Sequence, residues 1–156
     1  MNNLRKLFDA DFAHVPHVAR PLTIEFEDWP RLEVLVRVHM DVTANARYVS
    51  CFVPHHPAPV PVFLVVLQQL NQFLNSADDA NLPAGTGSPV HPAALAFTGR
   101  VYFYSEADDP GSEFDELQRE ARKKGISLIL RGRAYAKEHA GPKAPADLAR
   151  ANEPAA

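Results

Sequence analysis

Between Leu22 and Val42 the apolar residues fall on every second position, and from Phe63 to Leu74 they fall three and four apart. This change of period from two to 3.6 constrains the chain more than any other feature, because it places half-buried strands ahead of an amphipathic helix. Leu22, Ile24 and Phe26 alternate with Thr23, Glu25 and Glu27. Leu32, Val34, Val36, Val38, Met40 and Val42 alternate with Glu33, Arg37, His39 and Asp41, and only Leu35 interrupts the polar side. A third strand, Arg47–Val53, follows a short link around Asn45, a residue that tolerates left-handed turn geometry. Three strands so close in sequence predict an antiparallel meander, with Glu25 and Glu27 across from Arg37 and His39 on a solvated face.

Pro61 can open a helix at its first position. Phe63, Val66, Leu67, Leu70, Phe73 and Leu74 form its stripe. Val62, Leu64 and Val65 add apolar surface on the other sides, which predicts deep burial at the helix start. Residues 76–98 are rich in Ala, Asp, Asn, Pro and Gly and read as a long loop, with a short helix at Pro92–Phe97. Arg100–Tyr104 is an apolar strand, Ser112 caps a helix with Asp115 in the capping-box position, and Gly125 stops it. Ile126–Leu130 is a further strand, and a short helix follows at Ala134–Ala140.

These elements predict an α/β fold bordering on α+β. One mixed sheet carries an antiparallel three-strand meander followed by β-α-β-α-β, in the order β-β-β-α-β-α-β. Residues 1–20 read as an N-terminal arm, 21–140 as a single α/β domain, and 141–156 as a mobile Ala/Pro-rich tail.

Composition narrows the function classes. Sixteen basic against nineteen acidic residues in a chain of 156 give a net charge of −3, which argues against a duplex nucleic acid partner. The single cysteine, Cys51, excludes an intrachain disulfide and a cysteine-rich zinc site, and its alternation with Val49 and Val53 makes it a small buried apolar group. The apolar run Val62–Leu67 is far shorter than the roughly 20 residues that cross a bilayer, and no apolar stretch resembling a secretory signal opens the chain. A cytoplasmic protein without a membrane partner is expected. All 7 glycines lie at Gly85 or later, so the first half holds no glycine-rich phosphate loop.

Open α/β sheets bind ligands beyond the carboxyl ends of their parallel strands. Three such ends are expected to converge here: Pro54-His55-His56-Pro57, Ser105-Glu106-Ala107-Asp108-Asp109-Pro110 and Arg131-Gly132-Arg133. In a catalytic version Glu106, Asp108 or Asp109 would ligate a divalent metal or act as general base, with His55 or His56 as ligand or proton carrier. Ser105, Arg131 and Arg133 would then hold an anionic ligand. In the competing version the acids only cap the following helix, Arg131 and Arg133 pair with them, and no cofactor is needed. His14 and His17 form a weaker candidate metal pair, interrupted by Pro16, and Tyr102, Phe103 and Tyr104 read as core.

The segment Val101-Tyr-Phe-Tyr-Ser105, then Pro110, Phe114-x-x-Leu117-x-x-Glu120-Ala121 and Gly125-Ile-Ser-Leu-Ile-Leu-Arg131-Gly132 resembles the core of the F-type conjugative pilus-assembly family. That resemblance, confined to residues 101–132, implies a thioredoxin-like fold and a role on a bacterial mobile element. Glu106–Gly111 with the following helix and strand is also similar to a conserved stretch of TIR domains. The ending His139-Ala-Gly141 with Ala146-Asp147-Leu-Ala149 is similar to the close of ribonuclease H, but the helix over Val62–Leu74 contributes no acid, leaving that carboxylate site incomplete. The resulting expectation is a non-catalytic bacterial interaction or assembly module, with a protein partner or a second copy of itself. The alternative is a metal-dependent phosphoesterase or nuclease of ribonuclease-H-like topology.

Overall fold

The computed structural model describes residues 3–56, 58–76, 95–106 and 111–139. Helix α1 (Asn3–Ala10) leads into strands β1 (His17–Ala19), β2 (Leu22–Ile24), β3 (Leu32–Asp41) and β4 (Ala46–Val53). Helices α2 (Pro59–Gln68) and α3 (Leu70–Ser76) precede β5 (Ala96–Ser105), α4 (Gly111–Lys123), β6 (Ser127–Arg131) and α5 (Arg133–His139). The expected helix at Pro92–Phe97 and the tail at 141–156 fall largely or wholly outside the described residues; Ala96 and Phe97, which are described, belong to β5.

The strands form one mixed sheet in the order β1-β3-β4-β5-β6, with β2 also paired to β3. β1 and β2 run antiparallel to β3, β3 runs antiparallel to β4, and β4, β5 and β6 are parallel neighbours. The α/β class and the strand order are therefore as the sequence periodicity predicts. Asn45, at φ 53, makes the β3–β4 turn. Gly125, at φ 80, ends α4 with its own N–H on Arg122 and that of Ile126 on Ala121, the paired bonds of a glycine-terminated helix. Gly99, at φ 82 inside β5, lies where an added Cβ would sit 2.2 Å from the Gly125 carbonyl oxygen, so only glycine allows that close backbone approach. Helix α2 begins at Pro59, earlier than predicted; Pro59 and Pro61 both fall in the first turn, whose N–H groups have no intrahelical partner in any case.

The period of two sorts the sheet into unlike faces. Val34, Val36, Val38, Val49, Cys51, Val53, Val101, Phe103 and Leu128 pack against Val62, Phe63 and Val66 of α2, Leu70, Phe73 and Leu74 of α3, and Phe114 and Ala121 of α4. On the opposite side Phe52, Tyr102 and Tyr104 pack against Leu4 and Phe8 of α1, with Phe12, Leu35, Tyr48, Ile129, Tyr135 and Ala136 around them. The chain is thus three layers deep, with α1 and α5 together covering the second face.

Three expectations change. Residues 1–20, expected as an arm, supply α1 and β1, because Leu4, Leu7 and Phe8 recur at helical spacing and cover a face that would otherwise stay wet. The register places Arg37 opposite Ala19 and His39 opposite His17, while Glu25 and Glu27 lie beyond the end of β2. The polar side of β3 is consequently not a solvated face: His39 is buried and Arg37 pairs with Asp9 of α1. Leu64, expected deep in the core, is 43% exposed on the outer side of α2.

Candidate functional site

The parallel register aligns Phe52, Tyr104 and Arg131 in a row across the carboxyl edge of β4, β5 and β6, on the face beneath α1 and α5. Just past α1 the chain bends, with the N–H of Asp11 bonded to the Leu7 carbonyl, and this delivers Asp11 onto that row. One oxygen of Asp11, Oδ2, accepts three hydrogen bonds: from Tyr104 at 2.6 Å, from Tyr135 of α5 at 2.7 Å and from Arg131 Nη1 at 3.0 Å. The same Nη1 donates to the Tyr104 hydroxyl at 2.6 Å. The guanidinium lies 4.7 Å from the ring centres of Tyr102 and Tyr135, with Phe12 and Tyr104 at 5.5 and 5.6 Å.

Burial, aided by the bond to Asp11, pushes the Tyr104 hydroxyl far up from its ordinary value and the Tyr135 hydroxyl up to about 12. Both remain protonated donors at neutral pH. Burial works against the Arg131 charge, but the Tyr104 hydroxyl and the Asp11 carboxylate outweigh it and hold the guanidinium protonated. Three donors on Asp11 Oδ2 make this oxygen a fully engaged acceptor. The cluster fastens α1, the sheet edge and α5 together.

A second buried polar pair lies on the same face. His39 Nε2 and Ser50 Oγ are 2.7 Å apart, and the imidazole stacks on Tyr48 at 5.2 Å with Phe12 at 5.0 Å. Burial, with the charges of His17 and Arg37 adding to it, lowers the His39 pKa to about 3. Ser50 is fully buried, so the pair cannot reach a substrate. Burial also raises the Cys51 thiol far above its ordinary value, in keeping with an inert core residue.

The residues that sequence reasoning grouped at the carboxyl edge leave it in different directions. His56 is buried against Phe26 and Trp29, with ring centres 4.7 and 5.0 Å away, and its Nδ1 accepts the Ala58 N–H. Phe26 packs on the core beneath α2 to α4, whereas Arg131 belongs to the opposite layer. His55 is exposed, Glu106 half-buried just past β5, Ser105 buried at the end of β5, and Arg133 exposed at the start of α5. Asp108 and Asp109 lie outside the described residues. Among the described residues the carboxylate paired with Arg131 is Asp11. Among the described residues no group of three or more His, Cys, Asp or Glu could hold a metal ion, and His14 is exposed while His17 lies beside His39.

Asp11 and Arg37 escaped the sequence reading. The helical spacing of Leu4, Leu7 and Phe8 was the available signal for Asp11, which falls at the next position of the same stripe. Compared with protein families, characterised proteins and solved structures, the chain shows no match. Among the described residues no helix is long and apolar enough to cross a membrane.

Proposed function

We propose that the chain is a non-catalytic interaction or assembly module that pairs with a second copy of itself through the outer side of α2 and α4. One observation carries this reading: α2 is apolar on every side, yet its outer side is open. A helix of that composition ordinarily lies inside a core. Here Leu64 is exposed, and with Leu67, Leu117, Ala121 and Ile126 it lines a cavity of about 140 Å³ between the two helices. Glu120 in the last turn of α4 and Lys124 just past its end stand at its rim. A two-fold contact needs a self-complementary patch, and two antiparallel copies of α4 would set Glu120 of each against Lys124 of the other.

Size-exclusion chromatography with light scattering tests the reading. The chain is expected at twice its monomer mass at ~100 µM, as a micromolar Kd requires. Leu64→Glu is expected to run as a folded monomer. A monomeric parent chain at that concentration, or a dimer undisturbed by Leu64→Glu, overturns the proposal.

A further inference from the structure

His17 and His39 stand opposite each other in register across the β1–β3 ladder, with ring centres 5.5 Å apart. We propose that the two imidazoles form a binding site for a divalent transition-metal ion of the Zn²⁺ type, which ties β1 to β3. The inference is independent of the pairing proposed above and uses none of its residues.

His39 carries the argument. Its side chain is only 1% exposed, and its Nδ1 is buried with no hydrogen-bond partner among the described residues. A buried polar atom left unpaired costs free energy, so a native structure that keeps one calls for a reason. The other ring nitrogen, Nε2, is held 2.7 Å from Ser50 Oγ on β4. In the tautomer whose Nε2–H donates to that hydroxyl, Nδ1 carries the lone pair. The two ring nitrogens point in nearly opposite directions, so the bond to Ser50 turns Nδ1 away from β4. The strand on the other side of β3 is β1, which carries His17.

His17 is held in the same manner. One nitrogen of its ring donates to the Val15 carbonyl, which leaves the lone pair on the other. A histidine that ligates a metal almost always gives its second nitrogen to such a partner, because this fixes the tautomer and the ring orientation. The spacing also fits. With metal–nitrogen bonds of about 2.0–2.1 Å at tetrahedral angles, two imidazoles on one ion have ring centres about 5 Å apart. His17 is exposed on a three-residue edge strand, so an ion reaches the pair from solvent and completes its shell with water.

The charges permit it. Burial lowers the pKa of both imidazoles, so both are neutral at pH 7. Arg37 works against a cation here, but its guanidinium is paired with Asp9 at 2.9 Å. The donor set selects the ion: imidazole nitrogen suits Zn²⁺ and its transition-metal neighbours, whereas Mg²⁺ and Ca²⁺ seek oxygen.

Zn²⁺ is the probe and Mg²⁺ the control, each titrated into the tag-free chain while the histidine ring Cε1–Hε1 resonances are followed by NMR. Zn²⁺ is expected to shift His17 and His39 together and saturably, with a Kd of about 10–100 µM, since two ligands supply about half the binding free energy of a full structural site. His17→Gln, a change at an exposed position that spares the core, should weaken Zn²⁺ at least about tenfold. Ser50→Ala leaves both ligands in place but removes the group that orients His39, and should weaken Zn²⁺ about tenfold. His14→Gln, at an exposed position three residues before His17, should bind as the parent chain does. No joint saturation of the two resonances by ~1 mM Zn²⁺, equal shifts with Mg²⁺, unaltered binding in His17→Gln, or loss of binding in His14→Gln overturns the proposal.

Discussion

The two faces of the sheet are covered by helices, yet they are held by different physics. Under α2, α3 and α4 the contacts are Val, Leu and Phe against one another, with Phe63 stacked on Phe103 at 4.4 Å between ring centres. That burial is worth about 25 cal/mol per Å² and is indifferent to direction, charge and pH. Under α1 and α5 the sheet presents Arg37, His39, Tyr48, Ser50, Tyr102, Tyr104 and Arg131, and closure requires Asp9 and Asp11 to meet particular partners. A face built on directional bonds tolerates fewer arrangements.

The largest effect should come from the aliphatic side. Phe103→Ala removes a fully buried ring and is expected to cost about 3–5 kcal/mol in urea unfolding, with the same loss in low and high salt. Asp11→Ala tests the polar side: it strips the shared acceptor from Tyr104, Tyr135 and Arg131 and should cost about 2–3 kcal/mol. A double-mutant cycle with Arg131→Met should then show the pair strongly coupled; additive losses would mean that the bonds contribute independently.

Ser50→Ala should cost about 1–2 kcal/mol, because it leaves His39 Nε2 buried without its partner. The same histidine makes stability depend on pH. Its folded pKa, about 3, lies below the unfolded value, so between about pH 6.5 and pH 3 the unfolded chain binds the extra proton. Its contribution is complete above about pH 6.5 and is lost progressively as the pH falls towards 3. Urea midpoints measured at pH 7 and pH 5 should drop less in His39→Gln than in the parent chain, and an equal drop would remove His39 as the cause. The smallest effect belongs to the exposed Lys123–Glu120 pair at 3.1 Å. Lys123→Ala should change stability by no more than about 0.5 kcal/mol.

The aliphatic face was legible in the sequence because a strand buried on one side must alternate and a helix must repeat at three and four. Val34 to Val38, Val49 to Val53 and Phe63 to Leu74 obey those periods, and the strand order followed from them. The polar face was not legible for the same reason. Arg37, His39 and Ser50 occupy the positions that alternation assigns to solvent, and nothing local marks them as covered. Their cover comes from Leu4, Phe8 and Phe12, whose own spacing is helical but whose ring partners, from His39 to Tyr104, lie 27 to 96 positions away in the chain. His56 and Glu106 follow the ends of β4 and β5, and Arg131 closes β6, at one edge of the parallel run. Which layer each side chain entered depended on where Phe26, Trp29 and Asp11 came to rest.

By itself the sequence determined the element types, the parallel run of β4, β5 and β6 and the inert burial of Cys51, because each follows from local periodicity and volume. Only the tertiary structure decided that Asp11 would meet Arg131, that His17 would stand across from His39 and that one side of α2 would stay open. Those outcomes join residues far apart in the chain, and short-range pattern carries no information about which distant group arrives to complete a bond.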